Sequence, residues 1–412
     1  MTTHPPPAPA AALMQQLADF AGFSDEEGAL TRLYLSPAHR EAVAWLRDRM
    51  TEAGMSVRLD PAATLIGRYE GTRPGLPAVL IGSHIDTVRN AGRYDGNFGV
   101  LAGVQAVAEL NRRGERLPFA IEVLAFGDEE GVRFPVTLTG SRAIAGTVTP
   151  GAFDVADRDG VRHGDALRAF GGDPDRVGEA AKRPEDVLAY LELHIEQGPV
   201  LESEGLPVGV VTAINGARRF RITVGGMAGH AGTVPMEMRR DALTAAAEMI
   251  LAIERRALAE PDLVATVGTI EALPGAVNVI PGRARFTIDL RAPQDSQRDK
   301  AAEDIRAALD GIAAYRRVTL AVEPIHAAPA AQCDPTLMDA FAAAIERAGI
   351  RPFRLPSGAG HDAMALATLC PVAMLFVRCK GGVSHNPAES ITVDDAAVAL
   401  DVLLDMLRTL KP

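Results

Sequence analysis

Apolar and polar positions follow two rhythms along this chain, and the change between them divides it. In the first half, short apolar runs alternate with stretches of helical period. "SPAHREAVAWLRDRMTEAG" reads as a helix, opened by Ser36 with Pro37 in the first turn and closed by Gly54. "MSVRL", "TLIGRY" and "PAVLIGSH" read as strands, a helix is predicted over roughly 98–113, and "FAIEVLAF" is the next strand. Strands alternating with helices predict an α/β sheet covered on both faces.

After Val211 the order changes. A strand "RRFRITV" precedes a helix "RRDALTAAAEMILAIERRAL", then come strands "LVATVGTI" and "ARFTIDLRA", a helix over about 295–310 and a strand "RVTLAVEPI". That order, β-α-β-β-α-β, is the split arrangement of a ferredoxin-like unit. It is complete in itself and lies inside the larger chain, because the last eighty residues resume the earlier alternation, with "CPVAMLFV" as a further buried strand. The expected organisation is a large α/β domain over 1–212 and 328–412, with a smaller domain inserted over 213–327.

Composition narrows the function classes. With 412 residues the chain is too long for one ordinary core. A net charge of −11, with no Lys/Arg cluster standing against it, disfavours a nucleic acid or an anionic membrane as partner. Cys333, Cys370 and Cys379 are an odd number without a CxxC spacing, so neither a disulfide framework nor a thiolate zinc site is indicated. "MTTHPPPAPAAALM" lacks the basic and apolar regions of a signal peptide and reads as a frayed arm. No uncharged apolar run is long enough to span a bilayer, and the cytoplasm is the default expectation.

One stretch resists a purely structural reading. "LAFGDEEGVRFP" sets Asp128, Glu129 and Glu130 directly behind a strand, where three like charges repel unless water or a cation offsets them. "VLIGSHIDTV" places His84 and Asp86 at another strand end, the side of an open α/β sheet on which ligands bind. Asp86, two residues on, could orient the His84 imidazole. "GRYDGNFG" holds Asp95 between glycines, "LELHIEQGPVLE" carries His194, Glu196 and Gln197, and "GGVSHNPAES" puts His385 on a Gly-rich loop. Each signal alone has a bland explanation. Together, His84, Asp95, the acid pair, His194 and His385 make a nitrogen and carboxylate set that suits zinc, manganese or cobalt. Two histidines, a shared carboxylate and a further glutamate suffice for two cations about 3.5–4 Å apart.

At this point the sequence resembles a known family. "GSHIDTV", "GRYDG", "GDEEG", "LHIEQGP", "GHAGTVPM", "SGAGHDAM" and "GGVSHNPAE" follow the order found in the M20-type dinuclear metallohydrolases, from about residue 20 to 408. The resemblance is to the amidase branch of N-carbamoyl-L-amino acid hydrolases, β-ureidopropionases and allantoate amidohydrolases. It implies two divalent ions per subunit (Mn²⁺ or Zn²⁺, with Co²⁺ also suited), bridged by Asp95. His84 and His194 would complete one site, Glu130 and His385 the other, with Glu129 as unliganded general base and Asp86 beside it. The inserted domain would be a lid and dimerisation unit that lends His230 to the partner's active site. Gln197, Arg218, Asn278, Arg291 and Gly360, with His230, match substrate positions: an arginine fork suits a carboxylate, and an amide side chain suits a ureido group. One departure is visible, for Ala217 stands where some relatives have Gln.

The implied activity is hydrolysis of a linear ureido or amide C–N bond in a small substrate carrying a carboxylate. "GHAGTVPMEMRRDA" and "MLFVRCKGG" are most similar to the allantoate amidohydrolases, which implies allantoate as substrate; N-carbamoyl-L-amino acid hydrolase or β-ureidopropionase is the alternative. A catalytically silent binding protein on the same scaffold is the reading from another class, and Glu129 argues against it, since a binder has no use for a base beside two cations.

Overall fold

The computed structural model describes residues 8–411. The chain divides into two compact units, the first formed by residues 1–212, 332–355 and 359–412 and the second by 213–331 and 356–358. The return crossing lies four residues later than 327/328, because the last strand of the second unit runs on to Ala328.

The first unit begins with helix α1 (Ala8–Phe20). Residues 1–7 of the expected frayed arm lie outside the described residues, but from Ala8 onward the expectation fails. Ala10, Leu13, Leu17 and Phe20 form an apolar stripe at helical spacing and are buried. Helix α2 (Pro37–Glu52) starts where its sequence signals placed it: the Ser36 side chain accepts from the His39 amide, a cap that stabilises by about 1 kcal/mol. Strands β1 (Ser56–Leu59), β2 (Leu65–Tyr69), β3 (Ala78–His84), β4 (Ala120–Phe126), β5 (Val187–Ile195) and β6 (Val208–Ile214) follow, with helix α3 (Asn97–Arg112) between β3 and β4. Short helices α4 (Thr139–Ala145), α5 (His163–Phe170) and α6 (Val200–Ser203) lie in the connections.

The second unit holds β7 (Gly216–Gly225), β8 (Gly229–His230), helix α7 (Ala242–Leu258), β9 (Val264–Thr266), β10 (Ile270–Leu273), β11 (Val279–Ile280), β12 (Arg283–Ala292), helix α8 (Asp295–Arg316) and β13 (Thr319–Ala328). Its sheet has the order β10-β12-β7-β13, with β9 also on β12. The single strand expected over "LVATVGTI" is two. Thr266 faces Asp289 and Ile270 faces Phe286, so β9–β10 spends one more residue than β12 over this interval, and the extra residue is accommodated around Gly268. Helix α8 runs to Arg316 rather than about 310, because its buried stripe continues through Leu309 and Ala313. Helices α7 and α8 bury Ala245, Met249, Ile253, Ile305 and Leu309 against Ile222, Val224, Phe286 and Ile288 of the sheet. The other sheet face carries Arg219, Arg221 and Arg285, all exposed.

The chain then completes the first unit with β14 (Ala331–Gln332), helix α9 (Pro335–Arg347), β15 (Arg354–Ser357), helix α10 (Ala363–Leu366), β16 (Val372–Val377) and helix α11 (Val393–Thr409). The large sheet has the order β1-β2-β4-β3-β5-β16-β6-β14, with β15 on β6. Its centre is parallel: β3 pairs with β4 and β5, and β5 with β16, all in one direction. Every residue of β3, β4 and β16 is buried, as a sheet covered on both faces requires. Four parallel strands therefore end on the same side, and their C-terminal ends deliver the candidate residues. Among the described residues no helix is long and apolar enough to cross a membrane.

Candidate dinuclear metal centre

His84 is the last residue of β3, His194 lies one before the end of β5, Glu129 and Glu130 follow β4, and His385 follows β16. Asp95 sits just before α3. The Asp95 carboxylate is the hub. Its Oδ1 is 3.4 Å from His84 Nε2 and 3.2 Å from His194 Nε2; its Oδ2 is 3.2 Å from His385 Nε2, which is itself 3.6 Å from Glu130 Oε2. Ligand atoms thus converge in several groups: His84, Asp95 and His194; Asp95, Glu130 and His385; His84, Glu129 and Glu130.

The tautomers decide what such groups can hold. His84 Nδ1 lies 2.9 Å from the main-chain oxygen of Asp86, and His194 Nδ1 lies 2.9 Å from that of Ile195. Each neutral ring therefore donates from Nδ1 and turns the Nε2 lone pair toward Asp95. Lone pairs aimed at a carboxylate oxygen repel unless a cation takes them up. Separations of 3.2–3.4 Å match ligand atoms each about 2.0–2.1 Å from a shared ion. The donor set fits two divalent cations with Asp95 between them.

Electrostatics point the same way. Burial works against charge on Asp95, yet His194, His385 and His84, as protonated rings that donate to it when no cation is present, hold its carboxyl well below the usual range, so this carboxylate is built to face positive charge. From the protein's own groups, burial raises Glu129 well above an ordinary carboxyl, with Glu130 adding to the effect. Burial and then Asp95 push Glu130 to about 7. Such shifts are the cost of gathering acids in one pocket. Asp128, the third acid of the triplet, turns inward: it has a left-handed backbone (φ 68°) and accepts from the Thr139 hydroxyl.

Backbone permits this crowding at one glycine in particular. Gly96 has φ 66°, and a Cβ there would lie 2.5 Å from the His84 ring. Its N–H also approaches His194 Nε2 at 3.2 Å.

The remaining expected residues fall out as follows. Asp86 was expected to orient His84 through its carboxylate, but that oxygen is 3.9 Å from Nδ1 and the main-chain carbonyl does the orienting. The Asp86 carboxylate instead accepts from the amides of Glu129 (3.2 Å) and Glu130 (3.3 Å), tying the acidic loop to the end of β3. Gln197 donates its amide to Asp95 Oδ2 at 2.9 Å and to Ser384 Oγ at 3.1 Å. Gly360 lies beside Glu129, where a Cβ would come 3.6 Å from Oε1.

His230, Asn278, Arg291 and Arg218 belong to the second unit. His230 and Asn278 are brought together, for the Ala231 amide donates to the Asn278 carbonyl and His230 pairs with Val279 across β8 and β11. Both are exposed. Arg218 and Arg291 are not brought together. Arg218 stands on the helix-covered face, over Phe220 and 3.4 Å from Asp299. Arg291 stands on the uncovered face with Arg219, both paired to Asp289.

Four participants were missed by the sequence reading. Glu389 accepts from the amides of Tyr94 (2.8 Å) and Asp95 (3.1 Å), and Ser384 Oγ lies 3.0 Å from Asp95 Oδ2 and 3.1 Å from Glu389 Oε2. Both lie within the "SHNPAE" stretch already singled out for His385. Behind His194, Glu192 accepts from Ser83 Oγ (2.8 Å) and the Ala363 amide (3.0 Å), and His361 packs edge-on against His194. Glu192 shares a strand face with His194, two residues on, which alternation alone could have shown.

A parallel α/β sheet whose strand ends gather imidazoles and carboxylates around one shared aspartate defines a metal-dependent hydrolase of the dinuclear kind. The sequence matches the model of peptidase family M20/M25/M40 over residues 80–409. It is 45% identical over 91% of its length to an N-carbamoyl-L-amino acid amidohydrolase of Geobacillus stearothermophilus, covering 92% of that protein. It is 42% identical over 93% of its length to a probable allantoate deiminase of Oryza sativa subsp. japonica, covering 85% of it. Among solved structures it is similar to a hydantoinase/carbamoylase-family amidase from Burkholderia multivorans, with a TM-score of 0.92, 34% identity and 97% of each chain covered. The chain belongs to the M20 family, in its hydantoinase/carbamoylase branch, and is a hydrolase of carbon–nitrogen bonds.

Proposed function

We propose that this enzyme hydrolyses the ureido C–N bond of a small α-ureido carboxylate, with allantoate as substrate and ureidoglycine, ammonia and carbon dioxide as products. The observation that carries the reading is the Asp95 carboxylate, each oxygen of which faces imidazole nitrogen, beside a glutamate pair. His84, Asp95 and His194 would hold one divalent cation and Asp95, Glu130 and His385 the other. When bound, such cations lower the pKa of water and polarise a carbonyl. Glu129 takes the proton from the attacking water and returns it to the leaving nitrogen.

The second unit is read as a ferredoxin-like lid and dimerisation domain, and the first as the catalytic domain. The Gly232 amide donates to His230 Nδ1 at 3.0 Å, so the neutral ring carries its proton on Nε2 and can donate it to the developing oxyanion. In a homodimer this donor comes from the partner subunit. Arg291 faces the substrate carboxylate, and Asn278 and Gln197 its amide groups.

A second reading, hydrolysis of N-carbamoyl-L-amino acids, is favoured by the 45% identity to the Geobacillus protein of that name. Allantoate is itself an N-carbamoyl α-amino acid in chemical form, so one constellation serves both. The test is turnover by chelator-treated protein with Mn²⁺ restored, allantoate beside N-carbamoyl-L-amino acids. A higher kcat/KM on allantoate is expected; turnover of the N-carbamoyl amino acids alone selects the second reading, and no turnover of either rejects both.

A further inference from the structure

On the uncovered face of the second unit's sheet, Arg291 is already engaged. Its Nε and Nη2 donate to the two oxygens of Asp289 at 2.8 and 2.9 Å, and its Nη1 donates to the Gly358 carbonyl at 2.7 Å. Arg291 and Asp289 together are neutral. They are oriented, but they bring no net attraction to an anion. Arg219 lies opposite Asp289 in the antiparallel register of β7 and β12 and donates Nε to the same carboxylate at 2.8 Å. One aspartate thus serves two guanidinium groups.

Two further arginines of this face are balanced by acids. Arg221 pairs with Glu323 at 3.0 Å and Arg285 with Glu271 at 4.0 Å. His326, opposite Arg219 on β13, is kept on the neutral side by burial and by Arg219. Around Asp289 one positive charge is left over, that of Arg219; Arg283, at the far end of β12 opposite Gly225, is the other arginine of this face without an ion pair among the described residues. Among the described residues no second acceptor takes the terminal N–H groups of Arg219. Arg219, Asp289, Arg291, Thr266 and Thr287 line a concavity of about 580 Å³, in the range of small-molecule sites. Opposite Arg291 in the register is Ala217, too short to offer a polar group.

We propose that Arg219 is a specificity-determining residue for the substrate's carboxylate. It supplies the uncompensated charge, and Arg291, fixed by Asp289 and Gly358, supplies the oriented donors. This rests on the reading above that the substrate carries a carboxylate facing Arg291.

The test is steady-state kinetics of Arg219→Gln on an N-carbamoyl-L-amino acid and on its carboxamide, which lacks the negative charge. For the carboxylate, KM should rise roughly 10–100-fold, the size of a lost charge-assisted contact, with kcat within about twofold. For the carboxamide, kcat/KM should not change. Arg219→Lys should recover most of the loss, and Arg221→Gln, whose charge is balanced by Glu323, should show none. An unchanged KM for the carboxylate overturns the proposal, as does an equal loss on both substrates. If the wild-type enzyme cleaves neither compound, the proposed function fails on its own. Equilibrium dialysis of radiolabelled N-carbamoyl amino acid against wild type and Arg219→Gln then decides the proposal: weaker binding by the variant supports it and equal binding overturns it.

Discussion

At the scale of single residues, the two adjacent glutamates after β4 have separable parts. Glu130 faces His385 and Asp95, whereas Glu129 joins His84 and lies beside Gly360. Glu129→Gln is therefore expected to cut turnover by about 10²–10⁴-fold while metal content stays near that of the wild type, read by elemental analysis beside a kinetic assay. Loss of metal with an appreciable rate retained would mean that the two glutamates have exchanged parts. Much of this site was legible, because apolar runs that end in His or acid mark strand ends without any knowledge of the fold. The arginines show a signal that was present and not used. In "RRFRITV" the apolar side chains fall at Phe220, Ile222 and Val224, so alternation alone puts Arg218 on the covered face and Arg219 on the open one. Ser384 and Glu389 were not legible in this way. They act on Asp95 from 289 and 294 positions away, a pairing no local pattern encodes.

Secondary-structure elements set the reach of these side chains, and two of them yield expectations. The loop before α3 owes its shape to Glu389, whose carboxyl occupies the space a Cβ at Gly92 would need (2.4 Å) and binds two loop amides. Glu389→Ala should weaken metal binding in competition with a chelating dye, and Glu389→Gln, which keeps an acceptor for those amides, should retain more of it. Equal affinities in wild type and alanine variant would remove Glu389 from the loop's support. The start of α2 carries a second device. His39 is fully buried, its Nδ1 accepts from the Leu35 amide at 2.9 Å, and it stacks on Phe170. Burial, then the charges of Arg32, Arg40 and Arg133, lower it to about 3. The unfolded chain takes up a proton near pH 6.5 and the folded chain does not. Stability is thus complete above about 6.5 and falls as pH drops toward 3, by about 1.4 kcal/mol per pH unit within that window. His39→Gln should flatten the fall in unfolding midpoint between pH 7 and pH 5, and an unchanged slope would exclude His39 as its source. Boundaries were the least legible feature at this scale: the break at Gly268 and the extra turn of α8 depend on partners in β12 and the sheet, not on local propensity.

For the whole molecule, the sequence showed an insertion because a complete β-α-β-β-α-β order interrupts a longer alternation, and that order depends only on the succession of periods. It did not show α1, whose apolar stripe is masked by the proline-rich stretch before it. His230 and Asn278 sit in a unit different from that of the metal-ligand cluster. If His230 serves the partner's site, mixing His230→Ala with Glu129→Gln chains should restore activity, to at most about half of wild type per heterodimer, since one site carries both defects and the other neither. A mixture that stays inactive after proven subunit exchange would place His230 in its own chain's chemistry or outside it.

The central claim is that one carboxylate, Asp95, joins two cations. It is tested most directly by elemental analysis of wild-type and Asp95→Ala protein, each saturated with Mn²⁺ and dialysed free of excess. The wild type should hold two ions per chain and the variant close to none, because the remaining imidazoles and glutamates lose the charge they share. Two ions retained by Asp95→Ala would contradict the claim.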